Sequence, residues 1–330
     1  MSPAKTARPP GGGPHTRAHT VAEACADAWF RGHGSGQVEI ALSTVAAVAF
    51  IRPPDADAHT LIERTIAEAS PGQVGEIIAA QWRMYLNARP DLANPIYPLM
   101  APWFGEHGPS TIALKAAKAT AQAALKAGIH TIHPHDADLL GPLLTLMRTG
   151  REAQARGQYY TPASVATMMV GLTGAPREGE SVHEPACGTG GMLRALAEAM
   201  RLEGRDPATV TWAAVDIDPL AVGCLAANVV LWELGPRVLL GVGNSLTDEW
   251  ITDAQAQRRE TVELARTVRT VRAMQALTTA AGGHAPGPFA EGPAAAGPSS
   301  PAPAPAASAP QEPNAPEPGA GGTWEAETLF

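Results

Sequence analysis

Cysteine is scarce in this chain, which holds three in 330 residues. Three thiols do not make a disulfide framework, and a low cysteine content is typical of proteins in a reducing compartment. No apolar run approaches the roughly 18 residues that a membrane-spanning helix needs. The first residues also lack the apolar core of a secretory signal. These absences predict a soluble, cytoplasmic protein that has no membrane partner.

Positive charge is also in deficit, since the formal net charge is −8. Net acidity weakens the electrostatic term that dominates non-specific DNA binding. Five glutamates near the end contribute −5 and leave about −3 for the rest: Glu291, Glu312, Glu317, Glu325 and Glu327. A basic run on a helix-like segment contrasts with this balance: Arg258, Arg259, Arg266, Arg269 and Arg272. The run fits either contact with phosphates or a solvated helix face that packs on a partner or on the sheet.

Composition divides the chain into four regions. Residues 1–20 read as a disordered basic arm, and residues 281–330 as a disordered tail rich in Pro, Ala and Gly. Residues 21–148 predict a helical domain, with helices at 21–30, 37–50, 59–69, 73–87, 110–127 and 137–147. Residues 149–280 alternate apolar runs with helix-like segments, which predicts an α/β domain.

A glycine-rich turn in this α/β region is the strongest functional signal. The run Glu184-Pro-Ala-Cys-Gly-Thr-Gly-Gly191 follows an apolar segment and leads into a helix-like stretch, residues 192–200. Glycines let backbone N–H groups approach a ligand closely, and the start of the following helix adds a positive dipole end. The turn therefore predicts a loop that binds a nucleotide-type cofactor.

Two further apolar runs end in polar residues. Asp216 follows residues 210–215 and lies 25 positions beyond Gly191, close to the interval at which a second strand brings a carboxylate to a ribose. Asn244 follows residues 238–243. Ligands bind at the carboxyl ends of such strands. The alternative is that Asp216 caps a helix through Pro219 and that Asn244 makes a turn.

Together with Gly157-Gln-Tyr-Tyr-Thr-Pro162, these motifs resemble the N6-adenine DNA methyltransferases. The closest likeness is to the methylation subunit of type I restriction and modification systems, over roughly residues 138–250. The resemblance implies an α/β, Rossmann-like fold of the kind that methyltransferases dependent on S-adenosylmethionine have, with residues 149–280 as the cofactor-binding domain. The fold would be shortened after its third strand and preceded by an all-α N-terminal domain.

The resemblance also implies how the cofactor, S-adenosylmethionine, is held. Tyr159, Tyr160, Thr161 and Pro162 would cover its methionine end, and Glu184, Ala186, Gly188 and Gly190 would line its amino-acid moiety. Gln158 would also belong to the cofactor site. Asp216 would hold the ribose, Ile217 would pack on the adenine, and Asn244 would lie near the adenine amine, where many relatives carry Asp. Residues 158–160 alone also fit an amphipathic turn that packs two rings into a core.

Metal binding is the weaker interpretation of a cluster of histidines and aspartates, because it lacks a known zinc-ligand pattern. A polar loop between helices accounts for the cluster better: His130, His133, His135, Asp136 and Asp138.

The catalytic motif of this family, Asn or Asp followed by two prolines and an aromatic residue, does not occur in the chain. Two partial matches, at 94–97 and 52–55, precede the cofactor loop and fit turns better. Catalytic residues therefore stay unassigned.

Three functions remain open after this. The first is methyl transfer to adenine in DNA, with DNA and a specificity or complementing subunit as partners. The second is a non-catalytic module that binds the cofactor or a partner and needs a second chain for catalysis. The third is methylation of another substrate.

Overall fold

The computed structural model describes residues 12–148 and 161–281, and for residues 279–281 the backbone alone. Gln158, Tyr159 and Tyr160, the first eleven residues and residues 282–330 lie outside these ranges. The described part of the chain combines many helices with a small parallel sheet of three strands.

Residues 12–148 form seven α-helices joined by loops and short 3-10 turns. They are α1 (Pro14–Gly32), α2 (Val38–Phe50), α3 (Ala56–Glu68), α4 (Pro71–Ala88), α5 (Ala93–Met100), α6 (Thr111–Lys126) and α7 (Leu140–Met147). Side-chain caps set several starts: Asp55 accepts from the backbone N–H of Ala58 at 2.8 Å, and Ser70 forms a capping box with Gln73.

Helix α1 begins earlier than the sequence predicts. Its first residue is Pro14, so residues 14–20 are helical, and assigning them to a disordered arm is wrong. Proline suits the first helical position, where its missing N–H would have no intrahelical acceptor. Ala18 and Val21 of this helix are fully buried. Burial against the other helices therefore orders a segment whose composition alone suggested a flexible arm.

Helix α5 is absent from the predicted helices, because Pro95 and Pro98 argue against a helix there. Pro95 lies in the first turn of the helix, where proline is tolerated. Pro95, Ile96 and Leu99 are buried. The partial motif at 94–97 is therefore part of a helix rather than the predicted turn. The other partial motif, at 52–55, leads into α3, where Asp55 is the N-cap.

Residues 161–281 contain the sheet and four more helices. In chain order these are α8 (Ala163–Thr173), β1 (Ser181–Glu184), α9 (Gly191–Leu202), β2 (Thr211–Asp216), α10 (Pro219–Leu231), β3 (Val238–Val242) and α11 (Glu249–Ala281). The strands are parallel in the order β1-β2-β3, with Glu184 opposite Ala214 and Asp216 opposite Val242. Alternating helices and parallel strands are the pattern predicted for this region.

Both faces of the central strand β2 are covered, whereas Ser181 and His183 of the edge strand β1 are exposed. Alternate residues of β2 point to opposite faces: Trp212 and Ala214 join the large core shared with the helices, and Ala213 and Val215 join a small cluster with Trp250 of α11. Parallel sheets are normally buried on both faces in this way. The arrangement leaves the carboxyl ends of the strands as the place where polar groups can gather.

The N-terminal helices and the α/β region share that large core. It contains Trp29 and Trp82 from the helices together with Trp212 and Leu225 from the α/β region. The hydroxyl of Tyr85 in α4 donates to the carbonyl of Ala226 in α10 at 2.7 Å. The predicted boundary after residue 148 therefore does not separate two cores, and the division into two domains stays a prediction.

Compact packing extends to Ala265, and residues 266–281 form a separate unit. Within that unit, the second half of α11, the side chains of Val268, Val271 and Met274 are 39 %, 47 % and 60 % exposed. None of the helices in the described ranges is both long and apolar enough to cross a membrane.

Candidate cofactor site

The carboxyl ends of the three strands meet at one edge of the sheet. The backbone N–H of Cys187, just after β1, donates to the carbonyl of Val215 in β2 at 3.0 Å. The N–H of Gly243, just after β3, donates to the carbonyl of Asp216 at 3.0 Å. Three separate parts of the chain are thus held together where the predicted site residues lie.

The glycine loop depends on backbone shapes that favour glycine. Gly188 and Gly190 have φ angles of +51° and +95°. A Cβ atom at Gly190 would lie 2.4 Å from Cδ1 of Leu225 and 2.9 Å from Cζ3 of Trp232, both in or beside α10. The loop therefore lies closer to α10 than it could if any residue other than glycine stood at position 190. Helix α9 starts directly after it, at Gly191.

Asp216 holds the loop in place through its side chain. Its Oδ2 accepts from the backbone N–H of Gly188 at 2.8 Å, and its Oδ1 accepts from the N–H of Asp218 at 2.9 Å. The cap of α10 is Asp218, which accepts from Leu220 at 3.1 Å, so Asp216 is not the helix cap of the alternative interpretation. Each oxygen of a carboxylate accepts more than one hydrogen bond, so Asp216 keeps acceptor capacity for a ligand.

Beside the loop lies a cavity of about 540 Å³. It includes five predicted site residues, namely Thr161, Pro162, Glu184, Ala186 and Gly188. The other described site residues are outside its lining: Gly190, Asp216, Ile217 and Asn244. Gly190 lies on the side of the loop that packs against α10. The side chain of Ile217 is 72 % exposed. Asn244 accepts from the N–H of Leu246 at 3.0 Å, so the predicted alternative of a turn is present there.

Glu184 is a partly buried carboxylate on the cavity wall. Burial raises its pKa above the ordinary value of 4.5, and the negative charge of Asp216 acts in the same direction. A weak hydrogen bond from the N–H of Ala186, at 3.4 Å, opposes the shift only in part. The folded protein therefore disfavours the charged form of Glu184 unless a cation lies nearby.

Asp138 is a second cavity carboxylate, to which the sequence analysis assigned no role in cofactor binding. Its Oδ1 accepts from the N–H groups of Leu140 and Gly141 and from Nδ2 of Asn228, all at 3.0 Å. Its Oδ2 accepts from the hydroxyl of Thr189 at 2.6 Å. Burial raises its pKa above 3.8, and these hydrogen bonds oppose the shift. Asp138 thus joins the start of α7 to the glycine loop and to α10.

Arg194 is the cation of the cavity, and sequence reasoning missed it as well. Its side chain is 2 % exposed, and its Nη1 donates to Glu198 at 2.9 Å and to the carbonyl of Asp136 at 3.3 Å. His15 of α1 lies 3.5 Å from Arg194 and also faces the cavity. Burial and the charge of Arg194 lower the pKa of His15 below 6.5, which favours its neutral form. An arginine in the first turn after a glycine loop was the available sequence signal.

A buried ion pair supports the same region from outside the cavity. Arg148, just after α7, donates to the carboxylate of Asp218 at 2.5 Å, and these side chains are 5 % and 0 % exposed. Among the described residues, no group of three or more His, Cys, Asp or Glu side chains could hold a metal ion.

The family model for the N-6 DNA methylases matches residues 138–263. We call these residues, which are similar to that family, the methylase segment. It begins at Asp138 and includes the glycine loop, all three strands of the described sheet and the first half of α11. The resemblance inferred from the motifs is confirmed.

Two curated proteins are similar to parts of this chain. The type II methyltransferase M.TthHB8I of Thermus thermophilus is 37 % identical over 110 residues, which are 32 % of this chain and 24 % of that protein. The methylase subunit of the type I restriction enzyme MjaIX of Methanocaldococcus jannaschii is 30 % identical over 80 residues, which are 24 % of this chain and 14 % of the subunit. The matches span a quarter or less of these relatives.

A solved structure is also similar. It is the methyltransferase subunit of a type I restriction-modification system from Streptococcus thermophilus, with 14 % identity and a TM-score of 0.42. The alignment covers 72 % of this chain and 60 % of that subunit.

Proposed function

We propose that the cavity beside the glycine loop binds S-adenosylmethionine and that the chain takes part in N6-adenine methylation of DNA. The observation that carries the proposal is the contact between Asp216 and Gly188, which couples the second strand of a methylase segment to its glycine loop. Parallel strands that alternate with helices normally bind nucleotide-type ligands at their carboxyl ends. We infer the cofactor from the family and from the chemistry of the cavity.

The charges of the cavity fit this cofactor. S-Adenosylmethionine carries a sulfonium and an ammonium cation beside one carboxylate. Burial raises the pKa of Glu184 and of Asp138, and a cation bound nearby would stabilise the charged form of each carboxylate. Arg194 offers a positive charge to the carboxylate. A zwitterion with an extra positive charge therefore suits these three side chains better than a pyrophosphate does.

The remaining roles follow the predicted positions. Asp216 would accept hydrogen bonds from the ribose hydroxyls, and the exposed side chain of Ile217 would be covered by the adenine ring. Asn244 would lie near the adenine amine, and Tyr159, Tyr160, Thr161 and Pro162 would cover the methionine end. Gln158 would belong to the same cofactor site. When bound, the cofactor supplies an activated methyl group. The residues of this chain hold and orient it.

Methyl transfer also needs groups that accept the N–H bonds of a flipped adenine and a ring that stacks on it. The sequence contains no Asn or Asp followed by two prolines and an aromatic residue, and we assign no catalytic residue. This absence favours a second candidate function, a cofactor-binding module that is completed by another polypeptide. DNA and a complementing or specificity subunit are the proposed partners, and the cytoplasm is the proposed location.

Titration calorimetry with S-adenosylmethionine tests the cofactor. We expect Asp216→Ala to weaken binding by roughly 10- to 100-fold, because charge-assisted hydrogen bonds are lost. Asp216→Asn, which keeps the shape, should give a smaller loss in the same direction. Asp57→Ala, at an exposed position on α3, is the matched control and should bind as the wild type does. Equal affinity of all four proteins would contradict the ribose contact.

The second test is transfer of a labelled methyl group to duplex DNA. The purified chain should bind the cofactor without labelling DNA if it is a non-catalytic module. Labelling by the chain alone would reject that candidate. Labelling only after a second polypeptide is added would favour an active site split between two chains.

A further inference from the structure

A second cavity, of about 210 Å³, lies apart from the cofactor site. It is enclosed by the end of α2, the loop after it, residues 129–139 and one face of α10. The walls are mainly aliphatic, with Ala49, Ile129, Ile132, Leu139 and Leu231 among them. Arg52 and His133, whose side chains are 42 % and 59 % exposed, leave a route in from solvent. The methylase roles proposed above use none of these residues.

One polar side chain of the wall is fully buried and incompletely hydrogen-bonded. Asn228 of α10 is 0 % exposed, and its Oδ1 has no hydrogen-bond donor. The opposite orientation of the amide is unfavourable, because Nδ2 donates to two acceptors, Oδ1 of Asp138 at 3.0 Å and the carbonyl of Thr189 at 2.9 Å. With Nδ2 held on that side, Oδ1 is the side-chain atom of Asn228 that is left without a partner, and Asn228 is part of the cavity wall. A buried acceptor without a donor is uncommon and requires an explanation.

We propose that this second cavity binds a small, uncharged, mainly apolar ring compound that donates one hydrogen bond to Oδ1 of Asn228. The size of the cavity sets the size of the ligand, because an apolar cavity of about 150 Å³ holds benzene. A volume of about 210 Å³ takes a fused two-ring compound of the size of indole. Arg52, His130 and His133 also line the cavity, but most of its wall is aliphatic and favours an apolar ring. The acceptor selects an N–H or O–H group.

Asn228 also connects the second cavity to the cofactor site. Its amide nitrogen contacts Asp138 and Thr189, and both of these residues line the cofactor cavity. A ligand that fixes Asn228 would therefore restrain the glycine loop and change affinity for S-adenosylmethionine, with an equal effect in the reverse direction. This coupling rests on the proposed function, whereas binding to the second cavity does not.

Indole is the probe, and benzofuran, which has the same shape but no N–H group, is its matched control. Ligand-detected NMR with the full chain should show saturable binding of indole and binding of benzofuran that is about fivefold weaker, the value of one neutral hydrogen bond. Equal binding of the two compounds would overturn the role of Asn228. Lack of saturable binding up to the solubility limit of indole would overturn the site, leaving water as its occupant.

A variant locates the binding. Ala49→Phe fills the cavity and should abolish indole binding, while Ala67→Phe, at an exposed position on α3, should leave it unchanged. Indole binding that survives in Ala49→Phe would place the ligand elsewhere and refute the proposal. If Ala49→Phe does not fold, the comparison of indole with benzofuran on the wild type still tests whether the ligand needs an N–H group that donates to Asn228.

Titration of S-adenosylmethionine with and without saturating indole then tests the coupling. A change of at least twofold in cofactor affinity is expected. Unchanged affinity would remove the coupling and leave the binding site standing. Failure of the cofactor to bind at all would count against the proposed function alone.

Discussion

At the scale of single residues, Gly190 and Glu184 show how the site constrains side-chain choice. Gly190 has a φ angle of +95° and no space for a Cβ atom, so both backbone and packing require glycine. Glu184 keeps a carboxylate where burial opposes its charge. Gly190 therefore restricts its position to glycine, and Glu184 lowers the stability of the fold when it is charged. Both lie where a ligand is proposed. Such local costs are common at functional sites.

Replacement of Gly190 by alanine should destabilise the fold. The new Cβ would press on Leu225 and Trp232, and the positive φ adds backbone strain, for a combined loss of about 3 kcal/mol in the free energy of unfolding. Gly171→Ala in α8 is the control: nothing lies within 4 Å of its Cβ, and alanine favours helix, so a small gain is expected. Urea unfolding of both variants measures the difference. Equal stability would contradict the close approach of loop and helix.

Glu184 should make stability depend on pH. The pKa of Glu184 is about 4.5 in the unfolded chain and higher in the folded chain. At a pH between the unfolded and the folded pKa, the folded chain keeps a proton that the unfolded chain has released. The free energy of unfolding therefore falls as pH rises through this window. Glu184→Gln removes the effect, and we expect the wild type to lose stability relative to this variant as pH increases above 4.5. Denaturant curves at several pH values check this, and a difference that does not vary with pH would refute it.

At the scale of elements, one buried hydroxyl joins three segments. Ser43 of α2 accepts from the indole N–H of Trp82 in α4 at 2.7 Å and from that of Trp103, in the 3-10 turn after α5, at 2.5 Å. All three side chains lie in the buried core. The hydroxyl therefore sets the angle at which two large aromatic residues pack between helices.

Ser43→Ala should leave two buried donors without an acceptor. At about 1 to 3 kcal/mol for each of the two unsatisfied donors, the expected loss in the free energy of unfolding is roughly 2 to 6 kcal/mol. Thr20→Ala on the exposed face of α1 removes a hydroxyl at no such cost and serves as the control. Thermal unfolding followed by far-UV circular dichroism compares them. A loss no larger than that of the control would mean that the indoles find other acceptors.

Elements that carry their own periodic pattern could be predicted from the sequence, and contacts between distant elements could not. The amphipathic helices, the glycine loop and the three apolar runs each carry a local signal. Helix α5 does not, because two prolines mask it. Asp138 and Arg194 come from different parts of the chain, and only folding brings them to the cofactor cavity. Folding also brings Asn228 of α10 to Asp138. No spacing in the sequence predicts that Asp138 would accept from Thr189, 51 residues away.

At the scale of the whole molecule, charge is unevenly distributed along the chain. The full chain has a net charge of −8, and residues 282–330 contribute −5 of it through five glutamates and no Lys or Arg. The part before residue 282 is therefore near −3. Since counterion release by basic groups supplies most non-specific affinity for DNA, an acidic segment on the same chain opposes binding.

Removal of residues 282–330 should raise affinity for duplex DNA at low salt, and the gain should vanish as salt increases. A full-length variant with all five glutamates replaced by glutamine has the same formal charge of −3 and should show the same gain. Fluorescence anisotropy of labelled DNA over a range of salt concentrations measures both. A gain in the truncated protein alone would show that the segment acts by occupying space instead of by charge.

The three cysteines bear on how the protein can be labelled. Cys25, Cys187 and Cys224 are 0 %, 6 % and 0 % exposed, and burial raises the pKa of Cys25 to about 12. Thiolates are the reactive form, so maleimide dyes should find no native attachment point in the folded chain. One cysteine introduced at an exposed position, such as Ala67→Cys, would then carry a single fluorophore without prior removal of the native thiols.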